Sequence, residues 1–462
     1  MLGNYNRIHF IGIGGTGMSG IAKILMNMGY KVSGSDLKES EALHRLQDTG
    51  AKVHIGHRAS NVEGADLVVL SSAIPNTNPE YVEAIESKIP VVHRADMLSL
   101  LMAPKKGIAI SGAHGKTTTT SMISLILEKS GLDPTVIIGG ELNDIGGNAT
   151  LGMGEYLVAE ADESDGSFLK LKPFIAVVTN IENDHLDYYK NMDNMKAAFK
   201  KFIGNIKDGG FAVLGTDNEN VRDIIKDIDT EYYSYGMNAA ADYMPKNIRI
   251  GGMRTQFDVY FRGDFLGTVE LRVAGMHNIS NATAAVAVGN RLGIDFDKIA
   301  GALRTFRGVQ RRFQIIGDVN GIKVIDDYGH HPTEIKATLK AARSCNPRKI
   351  YAIFQPHRYT RTKILAEEFG TAFSDADEVI ITRIYSAGEN PIPGVSSELI
   401  YDSLRRNGMQ VMYVDEKRDI PGYIVEKLQP GDFVLTIGAG DIYTVAYSIA
   451  EKLRDTVEGG KR

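Results

Sequence analysis

The residues best suited to chemistry lie in a short glycine-rich segment, Gly112-Ala-His-Gly-Lys-Thr-Thr118. An apolar run at 107–110 precedes it and predicts a buried strand, while helix-period apolar residues follow at 117–129. The glycines let several backbone N–H groups bind one anion, and the positive end of the helix adds to this. Lys116 would supply a charge for phosphate oxygens, and Thr117 a hydroxyl for Mg2+. The segment therefore predicts ATP binding. The alternative is a glycine-rich turn with an exposed lysine.

The composition is typical of a globular enzyme with several domains. At 462 residues the chain is too long for one core and fits about three domains. The net charge of −5 gives no basic surface for nucleic acid. The single cysteine, Cys345, excludes an internal disulfide framework and is typical of a reducing compartment. The sequence has neither a signal segment nor an apolar run of membrane-spanning length, so we expect a cytoplasmic protein without stable membrane insertion.

Strand and helix patterns alternate along almost the whole chain, which predicts parallel sheets in an α/β fold. We predict three domains. A Rossmann-like domain covers residues 1–105, a central P-loop ATPase-like, mononucleotide-binding domain covers 106–313, and a second Rossmann-like domain covers 314–462.

The first domain begins with the pattern of a dinucleotide-binding turn. Gly12, Gly14 and Gly17 match Gly-x-Gly-x-x-Gly after an apolar strand, and Asp36 ends the next strand. A phosphorylated nucleoside could therefore lie at the following helix start. The pattern alone leaves open an NAD-dependent oxidoreductase or a turn without a ligand. A nucleotide-bearing substrate here, with ATP in the next domain, explains both loops with one reaction.

Acidic clusters end two predicted strands that follow the ATP segment. Glu160-Ala-Asp-Glu-Ser-Asp165 follows one strand, and Ile181-Glu-Asn-Asp-His-Leu-Asp187 follows the other. The carboxyl ends of neighbouring parallel strands meet beside a phosphate loop, and Mg2+ prefers hard oxygen ligands. We therefore predict a Mg2+ site there, with His185 as a further ligand. Solvated loops or helix caps would give similar clusters.

Motifs along the chain resemble, in order, those of the Mur ligases, the ATP-dependent amino-acid ligases of bacterial peptidoglycan precursor synthesis. The motifs are Gly112-Ala-His-Gly-Lys-Thr-Thr118, Glu160-Ala-Asp-Glu-Ser-Asp165, Asn180-Ile-Glu-Asn-Asp-His185, His277-Asn-Ile-Ser-Asn281, Arg311-Arg312 and Asp326-Asp-Tyr-Gly-His-His-Pro332. The resemblance covers nearly the full chain and implies the family's three-domain plan. Within the family, the segment at 354–362 is similar to that of members that add L-alanine. A member that recycles a murein tripeptide is the rival within the family.

The resemblance implies that ATP phosphorylates the lactyl carboxylate of UDP-N-acetylmuramate and that the amine of L-alanine then displaces phosphate. The substrates are small molecules, the cofactor is Mg2+ as two ions, and we expect a monomer or homodimer. A non-enzymatic nucleotide-gated module would leave the metal cluster unused. The implied catalytic residues are Lys116, Glu160, His185 and Arg312, with Thr117 and Glu160 on one ion and His185 on the other. Some relatives carry a carbamylated lysine near Lys200, but Phe199 competes for that place.

The resemblance also assigns residues to each substrate. Those assigned to ATP are Gly112, Ala113, His114, Gly115, Lys116, Thr117, Thr118, Asn278, Asn281, Arg312 and Asp326. Those assigned to the UDP-sugar are Gly14, Gly15, Thr16, Gly17, Met18, Asp36, Ser71, Ser72 and Arg94. Those assigned to the amino acid are Tyr328, His330, His331, His357, Arg358 and Arg361. A helix is predicted over 281–292, and which of the two adjacent histidines faces the ligand stays open.

Overall fold

The computed structural model describes residues 3–142, 147–182, 186–237 and 240–459, which form an α/β fold with three β-sheets. This confirms the predicted fold class. The chain divides into two compact units, and the three domain borders given above stay a prediction. The first unit comprises Met1–Asn247, Phe257–Val269 and Ser280–Phe306, and the second comprises Ile248–Gln256, Glu270–Ile279 and Arg307–Arg462. Among the helices of the described residues, none combines the length and apolar character that crossing a bilayer requires.

The strands are numbered in chain order. They are β1 Arg7–Ile11, β2 Lys31–Asp36, β3 Lys52–Ile55, β4 Leu67–Leu70, β5 Val91–His93, β6 Lys106–Ser111, β7 Thr135–Leu142, β8 Gly147–Thr150, β9 Tyr156–Glu160, β10 Ile175–Val178, β11 Phe211–Gly215, β12 Tyr232–Tyr235, β13 Tyr243–Gly251, β14 Arg254–Phe261, β15 Asp264–Leu271, β16 Gln314–Val319, β17 Ile322–Asp327, β18 Ile350–Phe354, β19 Glu378–Ile381, β20 Val411–Tyr413 and β21 Phe433–Ile437.

The helices are numbered in the same way. They are α1 Thr16–Asn27, α2 Glu41–Asp48, α3 Pro79–Glu86, α4 Arg94–Met102, α5 Lys116–Lys129, α6 Leu186–Tyr189, α7 Met192–Gly204, α8 Glu219–Ile225, α9 Met276–Arg291, α10 Phe296–Thr305, α11 Pro332–Ser344, α12 Tyr359–Phe369, α13 Glu398–Arg406, α14 Ile420–Ile424 and α15 Tyr443–Gly459.

The first sheet of unit one is wholly parallel, in the order β3-β2-β1-β4-β5. The order in which the strands are added reverses between β1 and β4, so a crevice is expected beyond the carboxyl ends of these two strands. Ile8 and Phe10 of β1 are fully buried. The glycine-rich turn between β1 and α1 lies at this crevice.

The second sheet, most of whose residues belong to unit one, carries the ATP segment in its interior. Its order is β15-β14-β13-β12-β11-β10-β6-β9-β7-β8, and β6 pairs in parallel with both β9 and β10. All residues of β10 and β11 are buried, as apolar strands covered on both faces should be. The segments that follow β6, β9 and β10 therefore meet at one edge.

The sheet of unit two has the order β16-β17-β21-β18-β19-β20. Only the edge strand β16 runs antiparallel to its neighbour among these described strands. The last strand, β21, inserts between β17 and β18. The segments that follow β17, β18, β19 and β21 therefore come together at one end of the sheet.

One predicted helix begins earlier than the sequence pattern indicated. The helix predicted over 281–292 starts at Met276 and ends at Arg291. Gly275, with a φ of +100°, provides the turn that precedes it. His277 and Asn278 therefore lie in the first helical turn. The alanine-rich pattern did not predict this start, because polar residues such as these also occur before a helix.

Candidate active site

The turn between β6 and α5 can be built only with glycine at two positions. Gly112 has a φ of +133° and Gly115 a φ of +84°. A Cβ on Gly112 would lie 2.2 Å from Oγ1 of Thr179, and one on Gly115 would lie 2.5 Å from Oδ1 of Asn281. In the described residues no side-chain hydrogen bond caps the start of α5. Its first N–H groups therefore suit an anion.

Asn180, which follows β10, braces this turn. Its Oδ1 accepts from the N–H of His114 at 2.9 Å, and its Nδ2 donates to the carbonyl of His114 at 3.0 Å. Its own carbonyl accepts from the N–H of Ala113 at 3.3 Å, and the hydroxyl of Thr179 donates to the carbonyl of His114 at 2.6 Å. The sequence motif contained Asn180, but its bracing role depends on pairing of distant strands.

Lys116, at the start of α5, is held by a buried carboxylate. Its Nζ lies 2.7 Å from Oε1 of Glu163 and 2.5 Å from the carbonyl oxygen of Gly112. Burial acts to lower the pKa of Lys116, but the charge and hydrogen bond of Glu163, with the charges of Asp162 and Glu160, together raise that pKa above its ordinary value. The ammonium is therefore a fixed positive charge beside the phosphate turn. Glu163 was not among the predicted site residues.

The oxygen atoms of Glu160 and Thr117, two predicted metal ligands within the described residues, are of the kind that binds Mg2+. Glu160 ends β9, and its Oε1 accepts from the N–H of Gly139 at 2.7 Å. Thr117 lies in the first turn of α5, beside the anion site. Carboxylate and hydroxyl oxygens are the donors that Mg2+ prefers. The predicted ligand His185 lies outside the described residues.

Lys200, near the place of the carbamylated lysine of some relatives, makes an ion pair, and a modification of it is not tested by the structure. The Nζ of Lys200 pairs with Oδ2 of Asp227 at 3.1 Å, on the surface of the protein. Phe199 is buried, and its ring lies edge-on to that of Phe168 at 5.2 Å between centroids. The residue before Lys200 is therefore a phenylalanine whose side chain is buried in the core.

The turn after β1 is fastened to the ends of neighbouring strands. The N–H of Gly14 donates to Oδ2 of Asp36 at 2.9 Å, and a Cβ on Gly14 would lie at the same distance from that oxygen. The N–H groups of Gly12 and Ile13 donate to the carbonyl of Ser35 at 2.9 and 3.0 Å. Asp36 therefore shapes the turn with one oxygen. Its predicted contact with a ribose stays a proposal.

Other predicted UDP-sugar residues differ in their surroundings. Ser71 borders the turn, because a Cβ on Gly12 would lie 3.2 Å from the Cβ of Ser71. Ser72 is exposed. The side chain of Met18 is buried in the hydrophobic core, so its predicted contact with the UDP-sugar would be made by its backbone at the start of α1 and stays a prediction. The carbonyl of Thr16 accepts from Nδ2 of Asn148 at 2.7 Å.

Arg94 connects the first turn to the acidic cluster after β9. A Cβ on Gly17 would lie 3.1 Å from an Nη atom of Arg94, so the guanidinium rests on the backbone of that turn. Its other Nη lies 3.0 Å from Oδ2 of Asp162. Burial acts to raise the pKa of Asp162, but the charges of Arg94 and Lys116 and the hydrogen bonds from Ser164 together lower it. Arg94 thus places one cation beside both predicted nucleotide sites of unit one.

The two predicted asparagines of α9 lie in different surroundings. Asn281 is buried, and its Oδ1 accepts from the hydroxyl of Thr119 at 3.2 Å, beside Gly115. Asn278 is buried as well, and its Nδ2 donates to the carbonyl of Ala274 at 2.7 Å. Asn281 therefore belongs to the ATP turn. The adenine contacts of both residues stay a proposal.

In unit two, the arginine pair that precedes β16 packs on one aromatic ring. Arg311 and Arg312 lie 4.9 and 5.2 Å from the centroid of the Tyr328 ring. Arg312 also lies 3.5 Å from Glu334. Asp326 is fully buried and accepts from Nε of Arg311 at 3.0 Å. This geometry favours a structural role for Asp326, which holds Arg311 in place. The ribose contact predicted for Asp326 stays a proposal.

Four rings form a row across the ends of β17, β18 and β19. The centroid distances are 5.6 Å for Tyr328 to His330, 5.6 Å for His330 to His357 and 5.7 Å for His357 to Tyr385. Burial lowers the pKa of His330 to about 4 and, together with the nearby cations, that of His357 to about 3. Both imidazoles are therefore neutral at pH 7. We call these four residues the ring row.

The adjacent histidine, His331, has a different place. It caps the start of α11, and its Nδ1 accepts from the N–H of Thr333 at 3.3 Å. His330 is thus the member of the pair that belongs to the ring row.

The two predicted carboxylate-binding arginines start α12. Arg358 precedes the helix with a φ of +70°, which is uncommon for a residue with a side chain. Arg361 lies one turn along, and its Nη1 is 3.3 Å from Nδ1 of His357. The structure therefore brings Arg361 to the ring row. Such unusual backbone geometry is often found at binding sites.

Comparison with known proteins adds three domain matches. The family model described as "Mur ligase family, catalytic domain" matches residues 7–106. The models described as "Mur ligase middle domain" and "Mur ligase, glutamate ligase domain" match residues 110–289 and 311–440. Two relatives named UDP-N-acetylmuramate–L-alanine ligase are similar over almost their whole length. The relative from Pelotomaculum thermopropionicum is 54% identical over 98% of this chain and 99% of its own. The relative from Geotalea daltonii is 53% identical over 98% of this chain and 100% of its own.

Solved structures show the same likeness. The UDP-N-acetylmuramate-alanine ligase of Thermotoga maritima is 32% identical, with a TM-score of 0.84, over 97% of this chain and 99% of its own. A murein peptide ligase of Psychrobacter arcticus is 25% identical, with a TM-score of 0.73, over 97% and 98%. By sequence over its whole length and by fold, this chain belongs to the Mur ligase family.

Proposed function

We propose that this chain joins L-alanine to the lactyl carboxylate of UDP-N-acetylmuramate and converts ATP to ADP and phosphate. The product would serve peptidoglycan precursor synthesis in the cytoplasm. The observation that carries this proposal is the similarity over 98% of the chain, at 53% and 54% identity, to two relatives of that name. The same likeness supports the use of ATP and Mg2+. A second Mg2+ ion is part of the proposal.

The reaction needs an activated carboxylate, because a free carboxylate has no good leaving group. A carboxylate oxygen attacks the γ-phosphorus of ATP, ADP leaves, and an acyl phosphate forms. The amine of alanine then attacks the carbonyl carbon, and phosphate leaves with that oxygen. Phosphoryl transfer of this kind depends on positioning and on cations more than on a protein nucleophile.

The residues of unit one suit the first step. Lys116 presents its ammonium beside the phosphate turn, and Glu163 fixes the ammonium in place. Asn180 holds the turn itself. Thr117, Glu160 and His185 would hold Mg2+, which when bound neutralises phosphate charge. The turn after β1, with Arg94 over Gly17, would bind the uridine diphosphate.

The residues of unit two suit the second step. Arg358 and Arg361 would bind the carboxylate of alanine through their guanidinium groups and leave its amine free. The neutral rings of His330 and His357 would pack against a small apolar side chain. Arg312, also in unit two, would contribute to the first step as a cation for the transferred phosphoryl group.

A phosphate-release assay with the purified chain tests this proposal. It would contain UDP-N-acetylmuramate, ATP and Mg2+, with L-alanine, glycine, L-serine or a murein tripeptide as the amine. We expect phosphate release with L-alanine and a product mass increased by one alanine residue. Release with the tripeptide but not with L-alanine would favour the rival ligase.

An NADH titration followed by protein fluorescence tests the oxidoreductase alternative. We expect no saturable binding, because the turn after β1 would bind uridine diphosphate. Saturable NADH binding at micromolar levels, without ligation of any amine, would overturn the proposal.

A further inference from the structure

Tyr385, which follows β19, is bonded to the backbone of the amino-acid segment. His357 and Tyr385 form an isolated parallel β-bridge. The N–H of Tyr385 donates to the carbonyl of Pro356 at 2.8 Å, and the N–H of Arg358 donates to the carbonyl of Tyr385 at 2.9 Å. These bonds lie on both sides of His357. They hold Arg358 in the backbone conformation with a φ of +70°.

The Tyr385 ring is fixed between two neighbours. Its plane lies within 10° of the His357 ring at 5.7 Å between centroids. A Cβ on Gly440 would lie 2.6 Å from the Cγ of Tyr385, so the ring packs against glycine backbone in the turn after β21. Tyr385 is nevertheless 39% exposed. A ligand can therefore reach the ring at the end of the ring row.

The same segment also holds the start of α12. The carboxylate of Glu389 accepts from the N–H of Thr360 at 3.1 Å and from its hydroxyl at 2.6 Å. Tyr385 and Glu389 thus bond to the stretch from Pro356 to Thr360, which contains Arg358 and directly precedes Arg361. The segment after β19 positions both arginines.

We propose that Tyr385 is a specificity-determining residue of the amino-acid site. This inference rests on the proposed function. The Tyr385 ring forms the end wall of the ring row and limits the side chain of the incoming amino acid to about a methyl group. Its backbone positions Arg358 for the substrate carboxylate. The site therefore takes small L-amino acids with a free carboxylate.

Steady-state kinetics with L-alanine and L-2-aminobutyrate, which is one methylene longer, test the inference. The variants are Tyr385→Ala, Tyr385→Leu and Tyr385→Phe, with Tyr423→Ala as a matched control because Tyr423 is an exposed tyrosine on α14. One methylene in a pocket is discriminated by about 10- to 200-fold. We expect the ratio of kcat/KM for alanine over aminobutyrate to fall about tenfold in the Ala and Leu variants. The Phe variant and the control should keep the ratio, and the KM for ATP should not change.

Gly440→Ala gives a second test, because its new methyl group would lie 2.6 Å from the Cγ of Tyr385 and 2.4 Å from Oε1 of Gln355, so both side chains would have to move. We expect the same fall in the selectivity ratio. If Tyr385→Ala does not fold, judged by thermal denaturation, the Leu and Gly440 variants decide. A folded Leu variant with a ratio within twofold of the unaltered protein, or equal losses for all three substrates, would overturn the inference. If the unaltered protein ligates no alanine, the proposed function itself fails.

Discussion

Lys116 forms an ion pair with the buried Glu163 at the phosphate turn, with 2.7 Å between Nζ and Oε1 and only 3% of the Glu163 side chain exposed. The sequence pattern predicts Lys116 as a charge for phosphate oxygens. The structure shows that it also neutralises a carboxylate in the interior. Its charge therefore serves both stability and nucleotide binding.

Lys116→Ala should abolish ligation and also destabilise the protein. Loss of phosphate neutralisation should cost several kcal/mol of transition-state stabilisation, a rate loss on the order of a thousandfold or more. Removing one partner of a buried pair leaves an uncompensated charge, at a cost of about 3–5 kcal/mol. The double variant Lys116→Ala/Glu163→Gln should regain stability but not activity. Phosphate release and thermal denaturation measure the two effects.

Lys129→Ala is the matched control, because Lys129 is exposed at the far end of α5. It should change neither quantity. If Lys116→Ala kept activity within tenfold of the unaltered protein at unchanged thermal stability, the assignment of the ATP turn would be wrong.

Asn180→Ala should weaken ATP binding more than alanine binding. The substitution removes two side-chain hydrogen bonds to His114, so the turn loses its bracing. Unmade buried hydrogen bonds cost about 1–3 kcal/mol, which corresponds to a rise in the KM for ATP of roughly 5- to 150-fold. Steady-state kinetics with each substrate varied in turn would measure it. An unchanged KM for ATP would contradict the bracing role.

Arg361→Ala should raise the KM for L-alanine and leave those for ATP and the UDP-sugar nearly unchanged. Losing a charge-assisted contact to a desolvated carboxylate costs about 2–5 kcal/mol, or roughly thirty- to several-thousandfold in kcat/KM. Lys363→Ala is the matched control, since Lys363 is an exposed cation on the same helix. Equal losses for all three substrates would indicate impaired domain closure in place of alanine binding.

Glu80 should make the stability of the protein depend on acid pH. It is fully buried, and although burial acts to raise its pKa, hydrogen bonds from His9, Ser35 and Asn61 lower the pKa from 4.5 to about 2. A lowered folded-state pKa stabilises the protein above pH 4.5, and this contribution of about 3 kcal/mol is lost as the pH falls from 4.5 towards 2.

Glu80→Gln should therefore be less stable at pH 7 and lose less stability between pH 5 and pH 3. Thermal midpoints across this range measure the difference. Glu86→Gln, which alters an exposed carboxylate on the same helix, is the control. A parallel pH dependence in Glu80→Gln and the unaltered protein would argue against a charged Glu80.

Local patterns predicted the elements around the sites well, because a strand, a turn and a helix start are defined by adjacent residues. The helical pattern at 117–129 matches α5, Lys116–Lys129. The contacts between distant segments could not be predicted. Glu163 pairs with Lys116 across 47 residues, and Asn180 braces His114 across 66.

The surroundings of individual side chains could not be predicted from the sequence either. Met18 is adjacent to the glycine-rich turn in sequence, yet helical geometry directs its side chain into the core. Tyr385 lies in a segment without a recognisable motif, and only the parallel pairing of β18 with β19 brings it to His357.

The central claim is an acyl phosphate on the lactyl carboxylate, and oxygen transfer tests it most directly. UDP-N-acetylmuramate labelled with 18O in that carboxylate would be ligated to L-alanine by the purified chain with ATP and Mg2+. We predict that the released phosphate carries one labelled oxygen and that the new amide keeps the other, because the amine displaces the phosphorylated oxygen. Label in AMP with release of pyrophosphate, or unlabelled phosphate alongside full ligation, would contradict the account.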